Sequence, residues 1–117
     1  MKDNVIKTKS YDFALRIVKL HLYLKNEKRE FELSKQILRS GTSIGANIEE
    51  AIGGLSRKDF SSRIGIAHKE ARETSYWLRL LCDSGLIDKP IFNSLIIDCE
   101  EILRISGAIL KTVKSET

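Results

Sequence analysis

The chain of 117 residues carries 20 Lys+Arg against 16 Asp+Glu, a formal charge of +4, with 42% hydrophobic and 31% charged residues. That composition suits one domain with a buried core and excludes intrinsic disorder, while two domains would each be marginal at this length. One proline and seven glycines leave little material for the turns of an all-β fold. Leu, Ile, Ala, Glu, Lys and Arg predominate, and all but Ile rank among the strongest helix formers.

The first helix is expected to start at Ser10 as its N-cap, leaving residues 1–9 as a flexible N-terminus, and to fade in the charged stretch Lys25 to Glu30. At about 100° per residue, Phe13, Ile17, Leu20 and Leu24 form one apolar seam, and Tyr11, Leu15, Val18 and Leu22 form a second, on roughly the opposite side. A helix in a monomeric bundle needs one apolar stripe. The second seam therefore predicts either self-association or a central helix wrapped on both sides, and self-association is the favoured reading.

The second helix is expected from about Phe31 to Ile52, with core residues Leu33, Ile37, Ile44, Ile48 and Ala51, stopping at Gly53-Gly54 through a left-handed glycine terminus. Beside its seam, Ser34, Gly41 and Gly45 form a strip without bulk. Glycine inside a helix costs about 1 kcal/mol relative to alanine, so close approach of another helix backbone is expected here. A phosphate-loop reading fails, because no Gly-Lys-Ser/Thr follows and no strand precedes.

Ser56, with Asp59 three residues on, marks the start of the third helix, which ends near Ser84-Gly85. Its main seam is Phe60, Ile64, Ala67, Ala71, Leu78 and Leu81, while Ile66, Trp77 and Leu80 lie away from it. Asp88 can cap the fourth helix, with Pro90 in the first turn, where a missing N–H is tolerated. That helix runs to about Val113, and 114–117 form a polar tail. The expected fold is all-α: one antiparallel, up-down-up-down four-helix bundle over residues 10–113.

No apolar run reaches the length of a membrane span and the N-terminus lacks a signal-peptide core, so a cytoplasmic protein is expected. Cys82 and Cys99 sit in apolar helical patterns and read as buried thiols of a reducing compartment. The two histidines, His21 and His68, stand beside no serine or cysteine in a catalytic spacing, and no His/Cys set has zinc-ligand spacing. Glu49, Glu50, Glu70 and Glu73 lack the Glu-x-x-His partners of di-iron bundles. No catalytic, cofactor or metal site is expected, and no small-molecule substrate. Asn47 and Glu73 read instead as polar residues that fix helix register and oligomer state.

Charge is unevenly spread: residues 1–30 carry net +4 and residues 55–84 net +2, whereas 31–54 and 85–117 each carry −1. Lys58, Lys69, Arg72, Tyr76 and Arg79 fall within about a quarter-turn of one another on the third helix. Arg16 and Lys19 share a flank of the first helix with Tyr23. Such stripes suit a nucleic-acid backbone, RNA or DNA, read mainly through phosphates; the bland alternative is a solvated face. A ring of subunits would multiply the contacts.

The run Ser43-Ile44-Gly45-Ala46-Asn47-Ile48-Glu49-Glu50 resembles the bacterial four-helix-bundle family named for proteins encoded in intervening sequences of 23S ribosomal RNA genes. Ser10-Tyr11-Asp12-Phe13-Ala14 is similar to the opening of that family's first helix, and Ser56-Arg57-Lys58-Asp59-Phe60 to the start of its third; Ala67 and Glu73 also match. The resemblance implies a homopentameric ring and a kinship with the accessory variability protein of diversity-generating retroelements, a basic pentamer that binds nucleic acid and a reverse transcriptase. By the same resemblance Ser43, Asn47, Glu50 and Glu73 are signature positions, read as packing and register residues. Gly45 departs from the proline many members carry, and +4 is modest for the retroelement branch.

The sequence thus predicts a non-enzymatic, oligomeric nucleic-acid-binding protein. Its contacts would be Lys58, Lys69, Arg72 and Arg79, with Arg16 and Lys19 outlying. Its subunit interface would be Tyr11, Leu15, Val18, Leu22, Ile66 and Trp77. The rival class is a protein-interaction scaffold.

Overall fold

Four helices make up the computed structural model, which describes residues 2–115, with side chains from Val5 onward. They are α1 (Lys2–Asn26), α2 (Glu32–Ile52), α3 (Arg57–Asp83) and α4 (Lys89–Ser115). Each packs against its neighbours in a closed cycle: α1 on α2, α2 on α3, α3 on α4 and α4 on α1. The backbones of the diagonal pairs α1/α3 and α2/α4 do not approach closely. The result is a rod of 47 × 21 × 21 Å.

Seven-residue patterning builds that rod. In α1 the inward residues Ile6, Ser10, Phe13, Ile17, Leu20 and Leu24 are all buried and alternate by four and three. In α2 the series is Ser34, Ile37, Gly41, Ile44, Ile48 and Ala51. In α3 it is Ile64, Ala67, Ala71, Thr74, Leu78 and Leu81. In α4 it is Leu95, Cys99, Ile102 and Ser106. A 3.5-residue apolar repeat keeps one seam facing the bundle axis along the whole helix. Each large aliphatic or aromatic side chain so buried stabilises the fold by about 1.5–3 kcal/mol.

The small strip on α2 lies against α1, as its sequence predicts. A Cβ on Gly41 would stand 2.8 Å from both Ile17 Cγ1 and Cγ2, and one on Gly45 would stand 3.3 Å from the Ser10 carbonyl oxygen. The two helices therefore meet at backbone distance. Ser34, in the same strip, is fully buried, and its hydroxyl has no hydrogen-bond partner.

The helix ends are fixed by side chains near them in sequence. Ser56 Oγ accepts from the Asp59 N–H at 3.1 Å, and Asp88 Oδ1 from the Ile91 N–H at 2.9 Å, as the sequence anticipates. α2 is capped instead by Glu30, whose carboxylate accepts from the N–H groups of Glu32, Leu33 and Ser34. A carboxylate there also complements the helix dipole. α3 closes in a Schellman turn: Leu86 N–H donates to Leu81 O and Gly85 N–H to Cys82 O, with Gly85 at φ +82°.

Three expectations need correction. Residues 2–9 are not a flexible terminus but the first two turns of α1; Met1 lies outside the described residues. Ser10 is consequently not a cap. It is buried in the seam, donating its hydroxyl to the Lys7 carbonyl at 3.1 Å. Ile6 carries the apolar seam back through this polar segment, one heptad before Phe13. Secondly, Gly53 ends α2 at φ −84°, not in the left-handed region; Gly85 is the described glycine with positive φ. Thirdly, Lys114 and Ser115 belong to α4 rather than to a tail, whose remaining residues, 116–117, lie outside the described residues.

Candidate nucleic-acid and assembly surfaces

Because α1 and α3 are diagonal, their outward faces look in opposite directions across the 21 Å width of the rod. These two faces differ in chemistry. On α1, the seam buried in the bundle is Phe13, Ile17, Leu20 and Leu24, and the second seam faces solvent. There Tyr11 is 60%, Leu15 48%, Val18 38% and Leu22 47% exposed. This disposes of the alternative in which the subunit wraps α1 on both sides. The exposed residues also alternate by four, three and four, so the outer face carries the same heptad geometry as the inner one.

On α3, Lys58, Lys69, Arg72, Tyr76 and Arg79 are all exposed and share the outward quarter-turn. None of the four cations forms an ion pair with another described residue. Arg79 lies over the Tyr76 ring, 5.8 Å from its centroid. Tyr76 in turn stands edge-on to Trp77, with centroids 5.1 Å apart and planes at 68°. Asp83, in the last turn, is the acid on this face.

The outlying basic residues do not join that stripe. Arg16 reaches across to α4, where its guanidinium meets Asp98 Oδ2 at 2.5 Å and Ser94 Oγ at 2.7 Å. Its charge is already paired inside the subunit, so a phosphate there would have to displace Asp98. The sequence could not show this, because Asp98 lies 82 residues away. Lys19 is exposed on α1, beside a groove formed with Arg16, Tyr23, Ile91 and Leu95, on the helix diagonal to α3.

The six expected interface residues likewise fall on two surfaces. Tyr11, Leu15, Val18 and Leu22 line α1. Ile66 and Trp77 lie on the α3 flank that meets α2, Ile66 exposed and Trp77 half-buried against the core. There Trp77 Nε1 donates to Glu73 Oε2 at 3.1 Å, and Arg39 of α2 donates to both Glu73 and Glu70. The Trp77 hydrogen bond, and then Arg39, hold the Glu73 carboxyl below its ordinary range against the opposing effect of burial. Glu73 is thus a register residue between α2 and α3. Sequence reasoning singled it out, weighed Glu70 only as a metal ligand, and missed Arg39, which shows only as a polar position flanking the seam.

Among the other signature positions, Asn47 Nδ2 donates to the Ser43 carbonyl at 2.9 Å, and its Oδ1 accepts from Arg63 of α3 at 3.3 Å. Asn47 thus ties α2 to α3, whereas Ser43 contributes its backbone carbonyl within α2 and no side-chain hydrogen bond to another helix. Glu50 does neither: it is exposed near the end of α2 and pairs with no described residue. Its reading as a packing residue is corrected accordingly.

Two groups of reactive type, His68 and Cys99, pack inside the bundle. His68 Nδ1 lies 2.8 Å from Ser106 Oγ, but Ser106 is fully buried and bonded to the Ile102 carbonyl at 2.8 Å. No substrate reaches that hydroxyl. Burial, and then Arg72, lower the His68 pKa, keeping the ring neutral. Cys99 is buried against the Ala71 carbonyl, and its thiol is pushed up to about 12 by burial. Among the described residues no cluster of His, Cys, Asp and Glu gathers to hold a metal, and no helix is long and apolar enough to cross a membrane.

Fold and surfaces together define a small four-helix protein with an unpaired basic face on one side and an apolar heptad face on the other. The chain belongs to the 23S rRNA-intervening sequence protein family, whose sequence model matches residues 2–108. A crystal structure from Bacteroides thetaiotaomicron, described as a protein with unknown function from the S23 ribosomal protein family, is 53% identical. It superimposes with a TM-score of 0.93 over 95% of this chain and 99% of that one. No curated protein matches the chain.

Proposed function

We propose that this is a non-enzymatic, cytoplasmic accessory protein that self-associates through α1 and binds RNA or DNA through the outward face of α3. The observation that carries the reading is the set Lys58, Lys69, Arg72 and Arg79, exposed on one helix face without ion-pair partners. Asp83 stands on this face and Lys69 acts on Glu73 through space, but none of the four cations is held in an ion pair with a described residue, so they can turn to phosphate oxygens. The family's connection with ribosomal RNA genes favours RNA, and the resemblance to the retroelement accessory protein implies nucleic-acid binding.

Assembly follows from the apolar geometry. A two-fold dimer needs one self-complementary patch, whereas a ring needs two different ones. The exposed α1 seam and the Ile66–Trp77 flank, on the diagonal helix, supply two, which supports the homopentameric ring. Each subunit would add its basic face, and linked sites bind far more tightly than single ones.

A scaffold that presents the α1 seam to another protein is the second reading, favoured by the same exposed Tyr11 and Leu15. Charge reversal separates the two. Arg72→Glu with Arg79→Glu should abolish binding of labelled RNA in fluorescence anisotropy while leaving the mass by light scattering unchanged. Binding equal to the parent would refute the α3 assignment.

A further inference from the structure

We infer that the α3 face takes single-stranded rather than duplex nucleic acid, with an unpaired base stacked on the Tyr76 ring. This rests on the binding reading above and adds the class of strand. Tyr76 is 48% exposed near the C-terminal end of the basic stripe, with Arg72 one turn before it and Arg79 one turn after. A duplex presents such a face with phosphates and groove edges, since its base planes are stacked inside. Against a duplex the Tyr76 ring keeps its contacts to Arg79 and Trp77 but meets no base face. An unpaired strand offers base faces, and stacking on an aromatic ring is worth about 1–3 kcal/mol per base.

Bracing prepares the ring for that contact. Arg39 holds Glu73, Glu73 accepts from the Trp77 indole, and Trp77 meets Tyr76 edge-on at 5.1 Å. The ring is positioned from α2 through three contacts, so a base docks with little ordering to be lost. Arg79, 5.8 Å from the ring centroid, adds a planar cation able to stack on a neighbouring base or fork onto a phosphate.

The same helix face has room for a strand to pass. Between Lys58 and Lys69, about 16 Å apart along the axis, stand Ser61, Ser62 and Gly65. A Cβ at Gly65 would meet nothing within 4 Å, so no packing inside the subunit accounts for a glycine that costs about 1 kcal/mol in a helix. Close approach of a ligand backbone does.

The test is anisotropy with labelled RNA and DNA of about 20 nucleotides, each single-stranded and annealed to its complement, on the full-length parent, Tyr76→Phe, Tyr76→Ala and Arg72→Ala. Single strands should bind the parent about tenfold or more tightly than duplexes. Tyr76→Ala should lose about 5- to 150-fold on single strands alone, and Tyr76→Phe should keep the parent affinity. Arg72→Ala should weaken both forms alike. Thermal melts of the variants confirm that the fold is retained. Duplex binding equal to single-strand binding, or a Tyr76→Ala variant that binds like the parent, would overturn the inference and leave the binding reading standing. Absence of binding by every form at low salt would overturn both.

Discussion

Two glycines in this bundle should respond in opposite directions to the same substitution. Gly65→Ala, on the open face of α3, adds a methyl group that meets nothing within 4 Å and gains helix propensity of about 1 kcal/mol. Gly41→Ala gains the same propensity but sets its methyl 2.8 Å from both γ-carbons of Ile17. Ile17 is fully buried and β-branched, so it cannot swing aside and α1 must move. Overpacking of this kind costs about 1–3 kcal/mol, leaving a net loss of up to about 2 kcal/mol after the propensity gain. For a domain of this size 1 kcal/mol moves Tm by about 4 °C. Thermal unfolding followed by circular dichroism at one protein concentration should therefore show Gly65→Ala melting above the parent and Gly41→Ala below it. In an Ile17→Ala background, which removes both γ-carbons, Gly41→Ala should lose its penalty. If Gly41→Ala raises Tm as much as Gly65→Ala, the account of α1–α2 packing is wrong.

Other consequences are more direct. Leu15→Glu or Leu22→Glu, on the exposed α1 seam, should lower the mass measured by light scattering toward 13.3 kDa without unfolding the chain; a parent that is already monomeric would refute the interface. Thiol titration of the native protein should leave Cys99 unreactive until denaturant is added, since its thiol is buried and raised to about 12; rapid labelling there would mean that the α3–α4 seam opens. The lowered His68 pKa means that the unfolded chain binds the proton more readily. The stability tied to neutral His68 is thus present above about pH 6.5, its unfolded pKa, and is lost as pH falls through the lower folded value. Denaturation midpoints should decline over that window in the parent and decline less in His68→Gln. Equal slopes would assign the loss to other groups.

The helices were legible in the sequence because their signals are local or periodic. Outside α1, seams of alternating three and four mark the inward faces. Ser56 and Asp88 are caps read three residues before the N–H groups they accept from, and Gly41 and Gly45 mark a close approach whatever the partner helix. What stayed hidden depends on partners distant in the chain or on competing signals. Ser10 resembles a cap because serine caps so many helices; only the neighbouring backbone at Gly45 shows why a small residue is buried there instead. Arg16 reads as an available cation until Asp98 comes alongside it from α4. Glu30 was passed over because the stretch from Lys25 reads as a charged loop, yet its carboxylate takes the three N–H groups that Phe31 leaves uncapped. Conversely, the second α1 seam was visible from the start, but which seam faced inward is decided only by the neighbouring helices.

The central claim is that unpaired cations of α3 contact phosphates, and the salt dependence of binding tests it most directly. Each neutralised phosphate on a single strand contributes about −0.7 to the slope of log Kobs against log salt concentration. Lys58, Lys69, Arg72 and Arg79 together therefore predict a slope of about −3 per subunit engaged, and a steeper one where several subunits of a ring share one strand. A slope near zero, or no binding at the lowest salt, would contradict the account.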